Sequence, residues 1–512
     1  MSWKLGSEPL GSFYTGKKPK RRREWRGFKD TWYDYTRWLT YWKTLITFII
    51  KPNNMKGFFR YRWMINYLAL PDFMDRHTEG MRGLQLRMAH QALGLIVTDI
   101  CGMLGQIFKA DPAVGNDTGL NKKIVLFDEN MMSTLMGGFP NLIWLSVEVP
   151  AVYTSSMMSQ DGVSYYVDAA HEYGIPSDVC PMPAAELGVA LADDFPLIGC
   201  CAVQCNTTCD GSLMGNGIEA RSFKIPTFQL AVPIRHRQES VQEYAAEEVM
   251  NAIHFIEEQT GEKFDWDAFF SSMKRFNAET NEFLEWMDIS KSDYPQVMGV
   301  TLALYRYGVY QAAGGRNQAF LDMDKKLTRM ALEGYNKKAM AAREYRHRAM
   351  TWGVQAAYYT ALPIWLLNCW GVVTIADMLS MVSTEMVNTE DKHQAMLDLA
   401  YLYENMIMRN RSNGGYETGV EALWRYCDMF NIDIVIMYVH MGCKSMSGYH
   451  GLFEEEARKH GIHLIWVTHN LMCPDDGSRR DMRTEINRYM RTVFGEEPLD
   501  PSLEDFDDSK NW

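Results

Sequence analysis

The 512-residue sequence predicts an α/β fold with two parallel-sheet lobes, a mostly helical region between them and an N-terminal helical extension. One observation is a series of short apolar runs without alternation, which is typical of strands buried on both faces of a parallel sheet. A second is the polar, helix-like spacing of several stretches between the runs. A third is that the pattern occurs twice. The runs are KKIVLF, NLIWLSVEVPAV, FPLIGCCAVQ and IPTFQLAVP from residue 122 onward, then IDIVIMYVH (432–440) and HLIWVTHN (463–470).

Changes in these patterns divide the chain into five segments. Residues 238–260 form a long amphipathic pattern that predicts a helix ending at Gly261, and helical spacing continues to about residue 350. Within it, YRHRAM (345–350) is expected to be a solvated basic helix face. The segments are a basic, aromatic-rich helical extension (1–115), a first α/β lobe (116–237), a helical middle region (238–350), a second α/β lobe (351–495) and an acidic tail (496–512).

The charge of the chain is unevenly distributed. The net charge of −12 argues against a general nucleic-acid binder, yet residues 1–62 carry +11 and the remainder −23. The basic, aromatic stretch at 17–48 suits an arm that grips an acidic partner subunit, a nucleic acid or a membrane surface. Because so many aromatic residues imply burial, we favour docking onto protein, either on this chain or on a partner.

Several features favour a cytoplasmic protein without a membrane span. The first residues, MSWKLGSEPLGSFYTG, lack the apolar core of a secretory signal. The longest apolar stretch, at 360–382, is interrupted by Pro363, Asn368 and Asp377, which makes it a better buried segment than a span. Ten cysteines at uneven spacing do not resemble a disulfide framework, so we expect reduced thiols, some of them recruited as ligands.

Three cysteines lie at turns that lead into helices. Cys180 opens a helix after EYGIPSDV, Cys209 follows the run LIGCCAVQ, and Cys443 follows IDIVIMYVH. A helix N-terminus lowers the pKa of a thiol and stabilises its thiolate. Three converging thiolates could hold an iron–sulfur cluster with one open iron, or a zinc ion with one more ligand. Spacing alone leaves buried, unliganded thiols open as an alternative.

The other cysteines and motifs add little chemistry. Cys205 and Cys473 also lie at strand exits and are reserve ligand candidates. The sequence contains no GxSxG, Walker A or HExxH motif and no GxGxxG after a strand. The remaining cysteines are expected in the core, namely Cys101, Cys369 and Cys427 in apolar helices and Cys200 and Cys201 within a strand.

The ordered set of short motifs resembles the 2-hydroxyacyl-CoA dehydratase family, which includes the iron–sulfur subunits of ATP-dependent benzoyl-CoA reductase. The resemblance runs from about residue 120 to 490, and the first 110 residues have no counterpart in it. The motifs that carry it are SDVC with Cys180, NTTCDG with Cys209, the strand IPTFQLAVP, the turn EEQTGEKFDWDAF, the segment REYRHRAMTWG (343–353) and CKSMSGY with Cys443.

The resemblance implies two flavodoxin-like (Rossmann-like) lobes and one [4Fe–4S] cluster on Cys180, Cys209 and Cys443, with the fourth iron open to water, a sulfur species or substrate. It implies an anaerobic enzyme in which a separate ATP-hydrolysing iron–sulfur activator injects one electron. The acyl-CoA thioester then becomes a ketyl radical anion and eliminates water. The implied partners are this activator, the acyl-CoA, and a homologous second iron–sulfur subunit or a second copy of the chain.

The sequence departs from the family at the acid–base position. Where dehydratase subunits commonly have Tyr-Pro-Glu, this chain has Val149-Pro150-Ala151, so Ser133 and Glu148 remain the catalytic candidates and no acid–base residue is assigned. Glu148 is three places away, and a one-residue slip already reverses a strand's face. The chain is therefore expected to be an iron–sulfur lyase subunit, with three alternatives: a benzoyl-CoA-reductase-like subunit, a double-cubane-type reductase, or a non-catalytic electron-transfer or assembly component.

Two residues beside Cys443 receive expectations as well. Ser447 is expected to cap the helix that follows and so to present the thiolate to iron. Lys444 is expected either to be solvated or to tune the charge of the cluster.

Overall fold

The computed structural model describes most of the chain between residues 27 and 506. The basic residues 17–26, Glu148 and the last six residues lie outside the described part. The described ranges are 27–71, 77–115, 118–127, 132–146, 149–158, 163–196, 198–206, 209–233, 238–308, 313–381, 384–405, 416–474 and 477–506.

The described part of the N-terminal extension is helical and packs on the first lobe of the same chain. Trp63 is buried, and its indole N–H donates to the Asp194 carbonyl at 2.7 Å. The Trp63 and Phe195 rings stack with centroids 6.0 Å apart. Its helices are α1 (Phe28–Ile49), α2 (Pro52–Arg60), a 3₁₀ helix (Arg62–Ala69) and α3 (Gly83–Ala110).

Helix α3 is unusual in composition. By length and apolar content it meets the criteria for a membrane-crossing helix, the one described helix that does so. In its 18-residue apolar window, 39% of the residues are buried inside the structure. A core helix of a water-soluble protein satisfies the same criteria. The expectation of no membrane span therefore stays a prediction.

The first lobe contains a four-stranded parallel sheet with strand order β2-β1-β3-β4. Both central strands are buried along their whole length, which explains their uninterrupted apolar sequences. The strands are β1 (Ile124–Phe127), β2 (Ile143–Ser146), β3 (Cys201–Cys205) and β4 (Thr227–Leu230), and the helices are α4 (Thr154–Met158), α5 (Ser164–Tyr173), α6 (Pro181–Leu191) and α7 (Asp210–Phe223).

Four helices form the described part of the middle region. The first ends at Gly261, as the sequence predicts, with the glycine in the left-handed conformation at φ 74°. Asp265 begins the next helix, because its side chain accepts a hydrogen bond from the Ala268 N–H. The helices are α8 (Glu239–Thr260), α9 (Trp266–Ser290), α10 (Val300–Tyr307) and α11 (Gln318–Asn336).

The second lobe repeats the topology of the first, with strand order β6-β5-β7-β8 and all strands parallel. The predicted fold class, two flavodoxin-like lobes with a helical connection, is thereby confirmed. The strands are β5 (His347–Trp352), β6 (Val372–Asp377), β7 (Ile434–His440) and β8 (His463–His469), and the helices are α12 (Leu362–Trp370), α13 (Lys392–Glu404), α14 (Tyr416–Phe430), α15 (Lys444–Gly448), α16 (His450–His460) and α17 (Arg479–Tyr489).

The expectation of a basic helix face at 345–350 is wrong, because strand β5 occupies most of this segment. Its cations are not solvated as a surface helix would leave them. The Arg348 guanidinium donates to the carbonyls of Phe430, Ser290 and Ser292 at 2.8–2.9 Å. The following residues are buried between β6 and β7. Tertiary burial and these hydrogen bonds therefore override the local helical pattern.

The described part of the acidic segment, residues 496–506, packs on the second lobe. The Leu499 N–H donates to the Cys369 carbonyl at 2.7 Å. The Trp365 indole N–H donates to the Leu503 carbonyl, also at 2.7 Å, and the Leu503 side chain is buried. The backbone that carries these acidic side chains is therefore held against the second lobe by hydrogen bonds.

Candidate functional site

Three cysteines occupy equivalent local positions, each as the residue immediately before a helix. Cys180 precedes α6, Cys209 precedes α7 and Cys443 precedes α15. All three are half-buried. In α7 and α15 the unpaired amide groups of the first turn carry partial positive charge, which favours an anionic sulfur at this position. The first turn of α6 offers fewer such amides to Cys180, because Pro181 and Pro183 have no N–H.

Sheet topology relates two of these cysteines. Strands β3 and β7 occupy the same position in their sheets: β3 lies between β1 and β4, and β7 lies between β5 and β8. Cys209 comes four residues after the end of β3, and Cys443 three residues after the end of β7. Ligands of open α/β sheets bind at the carboxyl ends of such strands. The two lobes therefore present corresponding thiols.

Two glycines show that the three cysteines meet at the junction of the lobes. A Cβ atom added to Gly211 would lie 3.6 Å from the Cys209 sulfur and 3.7 Å from Cys180 Cβ. A Cβ atom added to Gly442, which directly precedes Cys443, would lie 3.1 Å from Cys180 Cα and 2.9 Å from the Val179 carbonyl oxygen. Cys180 is thus adjacent to the turns that carry both other thiols.

The site does not have the geometry of a single-ion centre. Within the described residues, no three His, Cys, Asp or Glu side chains are grouped so that they could hold one metal ion. A four-iron cluster is wider than a single ion, and its cysteine ligands stand correspondingly further apart. The donor set, three thiols before helices at one junction, fits such a cluster in its chemistry.

His440 makes a hydrogen bond to the first of these cysteines. Its Nε2 lies 3.2 Å from the Cys180 sulfur, and its ring is buried. The Gly442 N–H donates to His440 Nδ1 at 3.3 Å, so Nδ1 is the acceptor and the ring proton resides on Nε2. His440 therefore donates this hydrogen bond, and the Cys180 sulfur accepts it. Sequence reasoning missed it; the available signal was a histidine ending the strand before Cys443.

Lys444 forms an ion pair across the lobes. Its ammonium lies 2.8 Å from an Asp178 carboxylate oxygen, and the two side chains are 74% and 64% exposed. The hydrogen bond from Lys444 holds the pKa of the Asp178 carboxyl below its usual value. Of the two expectations for Lys444, the structure favours a largely solvated side chain.

The expected capping role of Ser447 is wrong. The Cys443 N–H donates to the His440 carbonyl at 2.9 Å, so the turn closes early and α15 begins directly after the cysteine. The Ser447 N–H donates to the Cys443 carbonyl at 3.1 Å, which places Ser447 inside that helix. Cys443 itself occupies the capping position.

The reserve cysteines differ in their surroundings. Cys205 is fully buried at the end of β3, and its carbonyl accepts a hydrogen bond from the Asn216 side chain at 3.2 Å. Cys473 is half-buried and borders the same apolar cluster as Cys180. Among the cysteines expected in the core, Cys200 is half-buried. The other four are buried, namely Cys101, Cys201, Cys369 and Cys427.

The structure describes one of the two catalytic candidates. Ser133 is buried in the 3₁₀ turn Met132–Gly138, and a Cβ atom added to Gly314 would lie 2.8 Å from its hydroxyl oxygen. Ser133 thus lies against Gly314 of the middle region. Glu148 lies outside the described residues, so its role stays a prediction.

Comparison with known proteins places the chain in a family. No curated protein matches the sequence. The model of the family described as 2-hydroxyglutaryl-CoA dehydratase, D-component, matches residues 135–490. This match confirms the resemblance drawn from the motifs around Cys180, Cys209 and Cys443. Because it spans more than half of the chain, the protein belongs to the 2-hydroxyglutaryl-CoA dehydratase D-component family.

Proposed function

We propose that the chain is the [4Fe–4S] subunit of a radical 2-hydroxyacyl-CoA dehydratase, with Cys180, Cys209 and Cys443 as the cluster ligands. Family membership supports a dehydratase component of an enzyme with several components. The observation that carries the cofactor assignment is the junction of Cys180 with the turns of Cys209 and Cys443. Three protein ligands leave one iron open to water or substrate.

The surrounding residues perform three tasks toward the cluster. The first-turn amides of α7 and α15, behind Cys209 and Cys443, stabilise anionic sulfur. The Nε2–H group of His440 donates a hydrogen bond to the Cys180 sulfur and so fixes the orientation of that ligand. Gly442 allows the turn before Cys443 to approach the backbone of Val179 and Cys180. When bound, the cluster would supply low-potential electron transfer and a Lewis-acidic iron for the thioester carbonyl.

The remaining components are part of the same proposal. We expect a homologous second iron–sulfur subunit, or a second copy of this chain, together with an ATP-dependent iron–sulfur activator that delivers one electron. The substrate would be an acyl-CoA that loses water, and the compartment would be the cytoplasm. Assay of anaerobic protein with activator, ATP and a panel of 2-hydroxyacyl-CoA thioesters tests this part through the enoyl-CoA product.

Iron and acid-labile sulfide analysis of anaerobically purified protein tests the ligand set. We expect roughly four iron atoms per chain, and loss of most of the iron in Cys180→Ala, Cys209→Ala and Cys443→Ala. Cys473→Ala and Cys200→Ala are matched controls, because both remove half-buried thiols outside the proposed set. Protein without iron, or full iron in the three variants with loss in Cys473→Ala or Cys205→Ala, would contradict the assignment. Markedly more iron per dimer would favour the double-cubane alternative.

A further inference from the structure

An apolar cleft lies between the N-terminal extension and the first lobe. Its walls come from α3, the 3₁₀ helix Arg62–Ala69, helix α10 and the segment that follows β2. The cavity volume is about 90 Å³. Ser146, the last residue of β2, lines it, so the cleft opens at the carboxyl edge of the sheet, where α/β proteins hold ligands.

The polar groups of the cleft are engaged by the protein itself. The Tyr67 hydroxyl donates to the Pro150 carbonyl at 3.1 Å, and the Thr154 hydroxyl donates to the Val149 carbonyl at 2.6 Å. Asp99 accepts a hydrogen bond from the Asn317 side chain at 3.1 Å, and burial raises the pKa of its carboxyl. A ligand here meets apolar surface almost everywhere.

Cations are missing from the described part of the lining. None of the described residues that line the cleft is a lysine, an arginine or a histidine. A carboxylate moved from water into such surroundings would lose its hydration without gaining a counter-ion. The cleft therefore discriminates against acyl groups that end in a carboxylate, such as the glutaryl group of the family description.

The cleft is close to the proposed cluster ligands. Helix α6, which begins after Cys180, packs against the segment Val149–Tyr153 that lines the cleft. Cys180 and Met182 belong to the same packed cluster as Met157 in the cleft wall. Strands β2 and β3 are separated only by β1, so their ends are about 10 Å apart. A distance of this size is within the reach of an acyl chain.

We propose that this cleft binds the tail of an apolar, uncharged acyl group, aliphatic or aromatic, and that the N-terminal extension is the element that sets this specificity. The inference rests on the proposed function, since it assumes an acyl-CoA substrate. Each methylene transferred from water into the cleft should tighten binding about fourfold.

Gly308 provides a way to fill the cleft. It lines the cleft at the end of α10 with helical backbone angles, and a Cβ atom added there would lie 3.7 Å from Ile96, an ordinary contact. Gly308→Leu should therefore place its side chain in the cleft without moving backbone. Gly102→Leu is the matched control, because Gly102 is an exposed glycine of α3 outside the lining, with nothing within 4 Å of an added Cβ.

Calorimetric titration of the anaerobic holoprotein with octanoyl-CoA, glutaryl-CoA and CoA tests the inference, since none of these ligands carries an acyl hydroxyl group that could leave as water. We expect octanoyl-CoA to bind at least about tenfold more tightly than glutaryl-CoA or CoA. Gly308→Leu should weaken octanoyl-CoA at least about tenfold and leave CoA unchanged, while Gly102→Leu changes neither. Met103→Trp, which fills the cleft from α3, replaces Gly308→Leu if that variant does not fold.

Two results would overturn the inference: glutaryl-CoA binding as tightly as octanoyl-CoA, or unchanged octanoyl-CoA affinity in a folded cleft variant. Iron analysis of the same samples separates the two levels of the argument. Iron-loaded protein that prefers glutaryl-CoA overturns the acyl specificity alone. Protein that lacks iron overturns the proposed function, and selective octanoyl-CoA binding by such protein still supports the cleft.

Discussion

The two lobes share a topology but differ at the carboxyl ends of their strands. In the first lobe, β3 and β4 end in Cys205 and Leu230; in the second, β7 and β8 end in His440 and His469. The first lobe supplies two of the candidate thiols and the second supplies one, together with the histidine that donates to Cys180. The shared topology explains where ligands can lie, and the strand-end residues determine what each lobe contributes.

Gly442→Ala should have the largest effect, because it disturbs the contact between the lobes. Its Cβ atom would meet backbone atoms of Val179 and Cys180, which cannot rotate away as a side chain could. We expect loss of most of the bound iron in anaerobically purified protein. Gly448→Ala, in the short helix α15 that follows Cys443, is the control, since nothing lies within 4 Å of its added Cβ. Full iron in Gly442→Ala would show that the lobes do not need this contact.

Acidification should weaken the second lobe through His469. Burial lowers the pKa of this ring to about 4 from an ordinary 6.5. The folded state thus binds a proton less readily than the unfolded chain, and stability present above pH 6.5 is lost as the pH falls toward 4. We expect a loss of roughly 2 to 3 kcal/mol between pH 7 and 4.5.

Urea denaturation at the two pH values checks this expectation. His469→Phe keeps an aromatic ring opposite Tyr438, whose centroid lies 5.6 Å away, and removes the titration. The variant should show a flatter dependence of its unfolding midpoint on pH. An unchanged slope would assign the acid sensitivity to other groups.

His440→Phe should change the redox properties of the cluster more than its occupancy. Loss of the N–H donor to Cys180 makes the reduced, more negative cluster less stable. The midpoint potential of the cluster should therefore fall by on the order of tens of millivolts. A redox titration followed by electron paramagnetic resonance measures it. His440→Gln retains an N–H donor, so its midpoint potential should lie closer to that of the parent protein. Equal potentials in all three proteins would exclude an influence of this hydrogen bond.

Lys444→Ala should have the smallest effect, although it also removes a contact between the lobes. Both members of the Lys444–Asp178 pair are largely exposed, and such pairs contribute little. We expect unchanged iron content and no measurable shift in the urea midpoint. A clear loss of iron would mean that this pair, rather than the Gly442 contact, holds the lobes together.

The sequence predicts the sheets well because their strands are continuous apolar runs, as in β1 and β7. The sequence-based prediction fails at β5, where His347 and Arg348 resemble a helix face. Their hydrogen-bond partners lie up to about 150 residues away and cannot be recognised locally. The candidate thiols could be predicted because each precedes a helix. His440 could not, because its significance depends on Cys180, which is 260 positions distant in sequence.

The cleft illustrates a second limit. Tyr67, Ile100, Ser146 and Gly308 line it from four separate parts of the chain. Each alone reads as an ordinary core or turn residue, and no local pattern connects them. The apolar cleft forms only when the extension docks on the lobe. Its volume and the lack of cations among its described lining residues are therefore properties of the folded chain.

The division of the thiols between the lobes also has a consequence for biosynthesis. Cys443 follows Cys209 by 234 residues. At ordinary rates of translation, the ribosome needs roughly 10 to 50 s to add that length, during which the first lobe can already fold. On the proposed ligand set, cofactor delivery must wait for the second lobe to leave the ribosome. A nascent chain halted before β7 would then accumulate as a folded half-site, with two thiols exposed to oxygen.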